Sequence, residues 1–126
     1  MGEWKGILQS FGYAIEGIIY TIRTQRNMRI HLGAAIVVLL LSWGLEISIG
    51  HLLLVLFSIS FVLILELINT AIEATVDLVT DEYHPLAKVA KDVAAGAVLL
   101  GVLTTIGIGI YVFFNPGLSF LRTLFG

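Results

Sequence analysis

Val93 to Phe114 carries no charged side chain and is long enough to cross the ~30 Å hydrocarbon core of a bilayer as a helix. Two more segments follow the same plan. Leu52 to Leu65 is apolar apart from Ser58 and Ser60, and its helical pattern continues to about Val79. Leu32 to Ile49 is a weaker span, interrupted by Ser42, Glu46 and Ser48, with Trp43 and His51 marking an interface. Backbone groups inside lipid must be satisfied within the segment, so such runs fold as helices. The chain has 126 residues, of which 58% are hydrophobic and 13% charged. Soluble domains carry about 25% charged residues, so this composition predicts an all-α integral membrane protein. Cysteine is absent, which excludes disulfides and thiolate metal sites. A net charge of −2 without a basic block speaks against nucleic acid as a partner. The first strong apolar run begins near Leu32, too deep for a typical cleavable signal peptide. With no repeat, low-complexity stretch or linker, residues 1–126 read as one domain, with spans at about 30–49, 52–79 and 86–114.

The first 22 residues differ from the rest. Trp4, Ile7, Leu8, Phe11, Ile15, Ile18, Ile19 and Ile22 follow helical spacing along one face, and Lys5, Gln9, Gly12, Tyr13 and Glu16 cluster on another. This pattern predicts an amphipathic helix over about 3–22 lying in the membrane plane, against the alternative of a fourth short core helix. Lys5, Arg23, Arg26 and Arg29 precede the first span, and Lys88 and Lys91 lie between the second and third. The turn near Glu46 to His51 has no Lys or Arg, and the tail has only Arg122. The positive-inside rule therefore places the N-terminus and residues 80–92 in the cytoplasm and the C-terminus outside.

Glu66, Asn69, Glu73 and Asp77 are spaced 3, 4 and 4, which puts them in one stripe of a helix at the end of the second span. Charge is costly at that depth, so the stripe is a functional candidate. Glu66 should sit at acyl-chain depth near the cytoplasmic leaflet, and Glu73, two turns or ~10 Å further along, at headgroup level. A deep acid suits a general base for a lipid hydroxyl. A shallower one suits a cation beside a soluble phosphate. A hydrogen-bonded interhelical pair is the structural alternative for either acid taken alone. Asn69 can orient a carboxylate or bridge helices. Asp77 reads as a headgroup-level cap or a nucleotide contact. Lys91 is placed to pair with phosphate charge, and Asp92 to hold metal or fix Lys91, with interface anchoring as the alternative. Pro85 suits a first helical turn, and His84 reads as a solvated turn residue. His31 and His51 have no partners at metal-ligand spacing and read as interfacial. Gly96, among Ala94, Ala95 and Ala97, reads as a site of close helix packing. No glycine-rich phosphate loop is present, so a nucleotide would bind without one.

The stretch Glu66-Leu67-Ile68-Asn69-Thr70-Ala71-Ile72-Glu73, with Asp77, Glu82-Tyr83-His84-Pro85-Leu86-Ala87-Lys88 and Ala90-Lys91-Asp92-Val93-Ala94-Ala95-Gly96-Ala97-Val98, resembles the signature of the prokaryotic diacylglycerol kinase family. The likeness covers most of the chain. The His84 to Lys88 and Asp92 to Ala97 stretches look most like members from Gram-positive bacteria that prefer undecaprenol. The resemblance implies a homotrimer of three-span subunits with active sites shared between neighbours. It implies Glu66 as catalytic base, Glu73 as a magnesium ligand, and Asn69, Lys91 and Asp92 as supports for ATP and the transferred phosphoryl. It also implies nucleotide contacts at Tyr13 and at Glu82, Tyr83 and His84. One position departs: the family carries a metal-binding Glu where this chain has Gln25, whose carbonyl can coordinate magnesium but adds no charge.

The expected activity is magnesium- and ATP-dependent phosphorylation of a membrane lipid alcohol at the cytoplasmic face of a bacterial inner membrane. Undecaprenol is the first choice and diacylglycerol the alternative, because an apolar helix face spells out no lipid tail. A more remote reading is a small oligomeric transporter or a non-catalytic membrane subunit. Transporter sites favour repeat interfaces at the midplane, whereas this stripe runs out to the cytoplasmic face of a chain without repeats.

Overall fold

A computed structural model describes residues 2–126. Four helices follow one another: α1 Gly2–Thr24, α2 Arg26–Gly44, α3 Ile49–Val79 and α4 Pro85–Phe125. The all-helical, three-span expectation is met, since α2, α3 and α4 are each long and apolar enough to cross a membrane. Several boundaries move. The second helix begins at Arg26 and ends at Gly44, short of the predicted Ile49. Glu46 adopts a left-handed conformation (φ 52°), which breaks the helix there. Ser48 then caps α3, its hydroxyl accepting from the His51 N–H at 3.2 Å, so the third helix starts at Ile49 rather than Leu52. The last helix runs past the predicted Phe114 to Phe125, through Pro116. Proline lacks the N–H that would bond Val112, but the remaining ladder carries the helix on.

Helix α1 spans Gly2–Thr24 with Glu3 in its first turn and Arg23 in its last, both favourable to the helix dipole. Thr21 alone among its described residues is buried. Helix α3 is the centre of the chain. It packs most extensively on α4 and less on α2, while among the described residues the backbones of α2 and α4 do not approach each other closely. Three buried hydroxyls on these helices are satisfied locally, whereas the buried Thr105 hydroxyl on α4 has no partner. Ser42 donates to the Val38 carbonyl at 2.8 Å, Ser58 to Leu54 at 2.8 Å and Thr70 to Glu66 at 2.9 Å. Back-bonding of this kind lets hydroxyls lie in lipid without an unmet donor.

The packing glycine is not Gly96, whose surroundings are open. It is Gly101: a Cβ there would collide with the Leu65 side chain and lie 3.5 Å from Phe61. Gly96 and Gly101 are five residues apart on the helix, so they face different directions, and only the second meets α3.

Candidate functional site: a carboxylate stripe on the third helix

The stripe forms as its spacing requires, and burial grades along it. Glu66 is 1% exposed and Asn69 6% exposed, Glu73 is half-buried, and Asp77 is exposed. Glu66 Oε2 and Asn69 Oδ1 are buried without a hydrogen-bond partner. An unmet buried acceptor is costly, which marks both atoms as awaiting a donor or a cation. Glu73 does have partners. Its Oε1 accepts from Asn69 Nδ2 at 3.3 Å, and its Oε2 accepts from Gln25 Nε2 at 3.4 Å. Gln25 therefore faces Glu73 across 48 residues of sequence.

The break between α1 and α2 sets that position. Gln25 leaves the helical conformation (φ −109°, ψ 113°) as the N-cap of α2, with its N–H still bonded to the Thr21 carbonyl at 2.9 Å. Arg29 locks the corner, its Nη1 donating to the carbonyls of Ile22 and Arg23, both at 2.9 Å. These are among the last carbonyls of α1, which lack intrahelical donors. In the sequence Arg29 reads only as a topology charge. A basic residue one turn into a helix, close behind the end of another, was the available signal.

The outer end is organised differently from expectation. Lys91 Nζ donates to Asp77 Oδ1 at 2.7 Å, tying α4 to α3. Asp92 does not fix Lys91; it pairs with Lys88 at 2.5 Å, one helical turn earlier on its own helix. The i, i+4 geometry makes Lys88 the nearer partner. Asp77 is thus an interhelical ion-pair partner. These pairs are exposed, so solvent screens them and they add little to stability.

His84 is exposed in the turn, as expected, and also caps α4, its Nδ1 accepting from the Leu86 N–H at 3.1 Å. Thr80 Oγ1 accepts from the Glu82 N–H at 3.2 Å, and Tyr83 projects outward. Tyr13 is exposed on α1. Among the described residues, the side chains of Tyr13, Glu82, Tyr83 and His84 make no hydrogen bond or ion pair with the Glu73 cluster. His31 lies in the second turn of α2 and is partly exposed.

A hard cation prefers oxygen donors. Glu73 offers a carboxylate, Asn69 Oδ1 is an orphaned buried acceptor, and a half-turn of the Gln25 amide would present its oxygen beside them. The residues present fit magnesium. Two turns earlier on α3, Glu66 is a buried acid within a helix long and apolar enough to cross a membrane.

Residues 12–113 match the pattern of prokaryotic diacylglycerol kinase. The chain belongs to that family. The undecaprenol kinase of Bacillus subtilis is 45% identical over 111 residues, covering 88% of this chain and 90% of its own length. A diacylglycerol kinase of Synechocystis sp. is 41% identical over 116 residues, 91% of this chain and 66% of that protein. The diacylglycerol kinase of Escherichia coli K12 is 29% identical over 100 residues, 79% of this chain and 82% of its own. Membership makes the chain a lipid kinase, a phosphotransferase for which ATP is the co-substrate. Its three apolar helices make it a prokaryotic membrane protein.

Proposed function

We propose that this kinase transfers the γ-phosphoryl of ATP to undecaprenol at the cytoplasmic face of the membrane. The observation that carries the reading is the graded stripe: a buried acid with an unpartnered oxygen two turns below a carboxylate held by two amides. The lower acid is at the depth of a lipid hydroxyl, and the upper group is at the depth of a soluble phosphate. Glu66 takes the hydroxyl proton as the lipid oxygen attacks the γ-phosphorus, and ADP leaves. Asn69 holds Glu73 in place. Lys91 exchanges its Asp77 partner for the phosphate and steadies the developing charge. Asp92 keeps Lys88 turned away from that exchange. Glu73, with Asn69 and Gln25, would hold magnesium, which when bound supplies positive charge to the phosphate oxygens. Phosphoryl transfer is mostly positioning and electrostatics, so a site of this size suffices.

The nucleotide base would lie against Tyr13 and the turn of Glu82, Tyr83 and His84. Within one chain the side chains of these groups make no hydrogen bond to the Glu73 carboxylate, which suits a homotrimer with sites shared between neighbours. Helix α1 lies in the membrane plane, with the N-terminus inside and the C-terminus outside. The relative named for undecaprenol supports that substrate. The Synechocystis relative keeps diacylglycerol as the second reading. Labelled-ATP assays of the purified protein on both lipids decide between them. Transfer to undecaprenol at the higher kcat/KM is expected; preference for diacylglycerol would reverse the assignment.

A further inference from the structure

Helix α4 has 41 residues, whereas one bilayer crossing needs about 20. One end is fixed by Lys91, paired with Asp77 beside the carboxylate stripe. Counted from Lys91 at ~1.5 Å per residue, the ~30 Å hydrocarbon core ends near Tyr111. Tyr111 packs edge-on against His51 in the first turn of α3, with ring centroids 5.5 Å apart. Aromatic rings of this kind favour a membrane–water interface. A straight α4 would carry Phe125 roughly 20 Å beyond Tyr111, through a headgroup layer of only ~5–8 Å and into water.

The residues past Tyr111 do not suit water on all sides. Phe114, Leu118, Leu121 and Phe125 are spaced 4, 3 and 4 and share one helix face, with Phe120 and Leu124 beside it. Asn115, Ser119, Arg122 and Thr123 share the other. All of these residues are exposed. The Thr123 hydroxyl donates to the Ser119 carbonyl at 2.9 Å, and among the described residues Arg122 has no ion-pair partner. An apolar gap of about 610 Å³, with Gly44 on one side and Gly117 and Leu121 on the other, separates this segment from the end of α2. Pro116 supplies a joint. It has no N–H for the Val112 carbonyl, and Asn115 before it is disfavoured in helical geometry. Helix α4 is continuous here, but this is the turn at which it bends at least cost. The segment also lies beyond residues 12–113, which carry the family pattern.

We propose that residues 114–125 form an amphipathic anchor lying in the membrane surface opposite the carboxylate stripe. The face of Phe114, Leu118, Leu121 and Phe125 enters the acyl chains, and Arg122 reaches the lipid phosphates. The partner is the phospholipid surface because the face continues a helix already in lipid and its single charge has the sign that attracts phosphate. The anchor holds whichever lipid is phosphorylated and whichever residue is the base.

The chain has no cysteine, so a single introduced thiol can carry a spin label without background. Labelled Leu118→Cys, Leu121→Cys, Ser119→Cys and Thr123→Cys are compared in vesicles of phosphatidylglycerol and phosphatidylcholine. Collision with oxygen, which concentrates in lipid, is measured against collision with a water-soluble nickel chelate. The oxygen-to-nickel ratio should be at least about threefold higher at Leu118 and Leu121 than at Ser119 and Thr123. If Leu118→Cys or Leu121→Cys does not fold, Phe114→Cys and Phe125→Cys on the same face carry the same comparison. Equal ratios at all positions, with nickel reaching each of them, would show a helix standing in water and overturn the proposal. Exclusion of both probes from Leu118 and Leu121 would show the face covered by a second copy of the chain and overturn it too.

Discussion

Glu66 and Glu73 are the same residue type on one helix face, in unlike surroundings. The first is closed off from water with one oxygen unmet, and the second is bracketed by two amides. Glu66→Gln keeps the shape and removes the base. Turnover should fall by at least about 100-fold. Binding of a non-hydrolysable ATP analogue should stay within about twofold, because Glu73 lies ~10 Å away along the axis. A well-folded variant with normal turnover would remove Glu66 from the chemistry. Gln25→Glu replaces an amide donor 3.4 Å from Glu73 with a like charge. Repulsion should lower the thermal midpoint in chelator, and magnesium should restore it. The magnesium concentration for half-maximal rate should fall as well, since a second charged oxygen joins the donors. Identical magnesium titrations for the two proteins would show that position 25 is not a ligand.

Among the elements, the α3–α4 contact depends on one missing side chain. Gly101 lets Leu65 and Phe61 of α3 approach the α4 backbone. Gly101→Leu overpacks this contact and should cost about 1–3 kcal/mol, read as a lower unfolding midpoint in detergent. Gly107→Leu, in open space, is the matched comparison, and equal midpoints would show that the approach is unimportant. Helix α1 is tied to the rest through the Arg29 corner and exposes most of its apolar residues. Ile18 and Ile19 both face outward. Replacing both with Asp removes roughly 1.5–3 kcal/mol of apolar burial per side chain if the bilayer covers them. Protease cleavage of the N-terminus in liposomes should then speed up. Unchanged cleavage would place α1 away from the membrane.

At the scale of the molecule, one chain gathers Gln25, Glu66, Asn69, Glu73, Asp77 and Lys91, and leaves Tyr13 apart. A site shared between subunits makes these two groups separable. Chains carrying Glu66→Gln and chains carrying Tyr13→Ala, each impaired alone, should regain activity when co-assembled. One interface would then pair an intact Glu66 with an intact Tyr13. Activity no greater than the sum of the separate variants would place the whole site within one subunit.

The helices, the three spans and the stripe were legible because each is a local property. Apolar length decides what can cross a bilayer, and a spacing of 3 and 4 decides which side chains share a face, whatever surrounds them. Helix ends were less legible. The stop at Gly44 needed the left-handed Glu46, and the continuation of α4 through Pro116 needed a whole helix to carry it. Pairings across helices were out of reach in part. Lys91 chose Asp77 and left Asp92 to Lys88, and Gly101 rather than Gly96 met α3. Each of these depends on how helices rotate against one another and on the distance between their axes. A rotation of one residue, about 100°, exchanges one neighbour for another and leaves every local pattern in the chain unchanged.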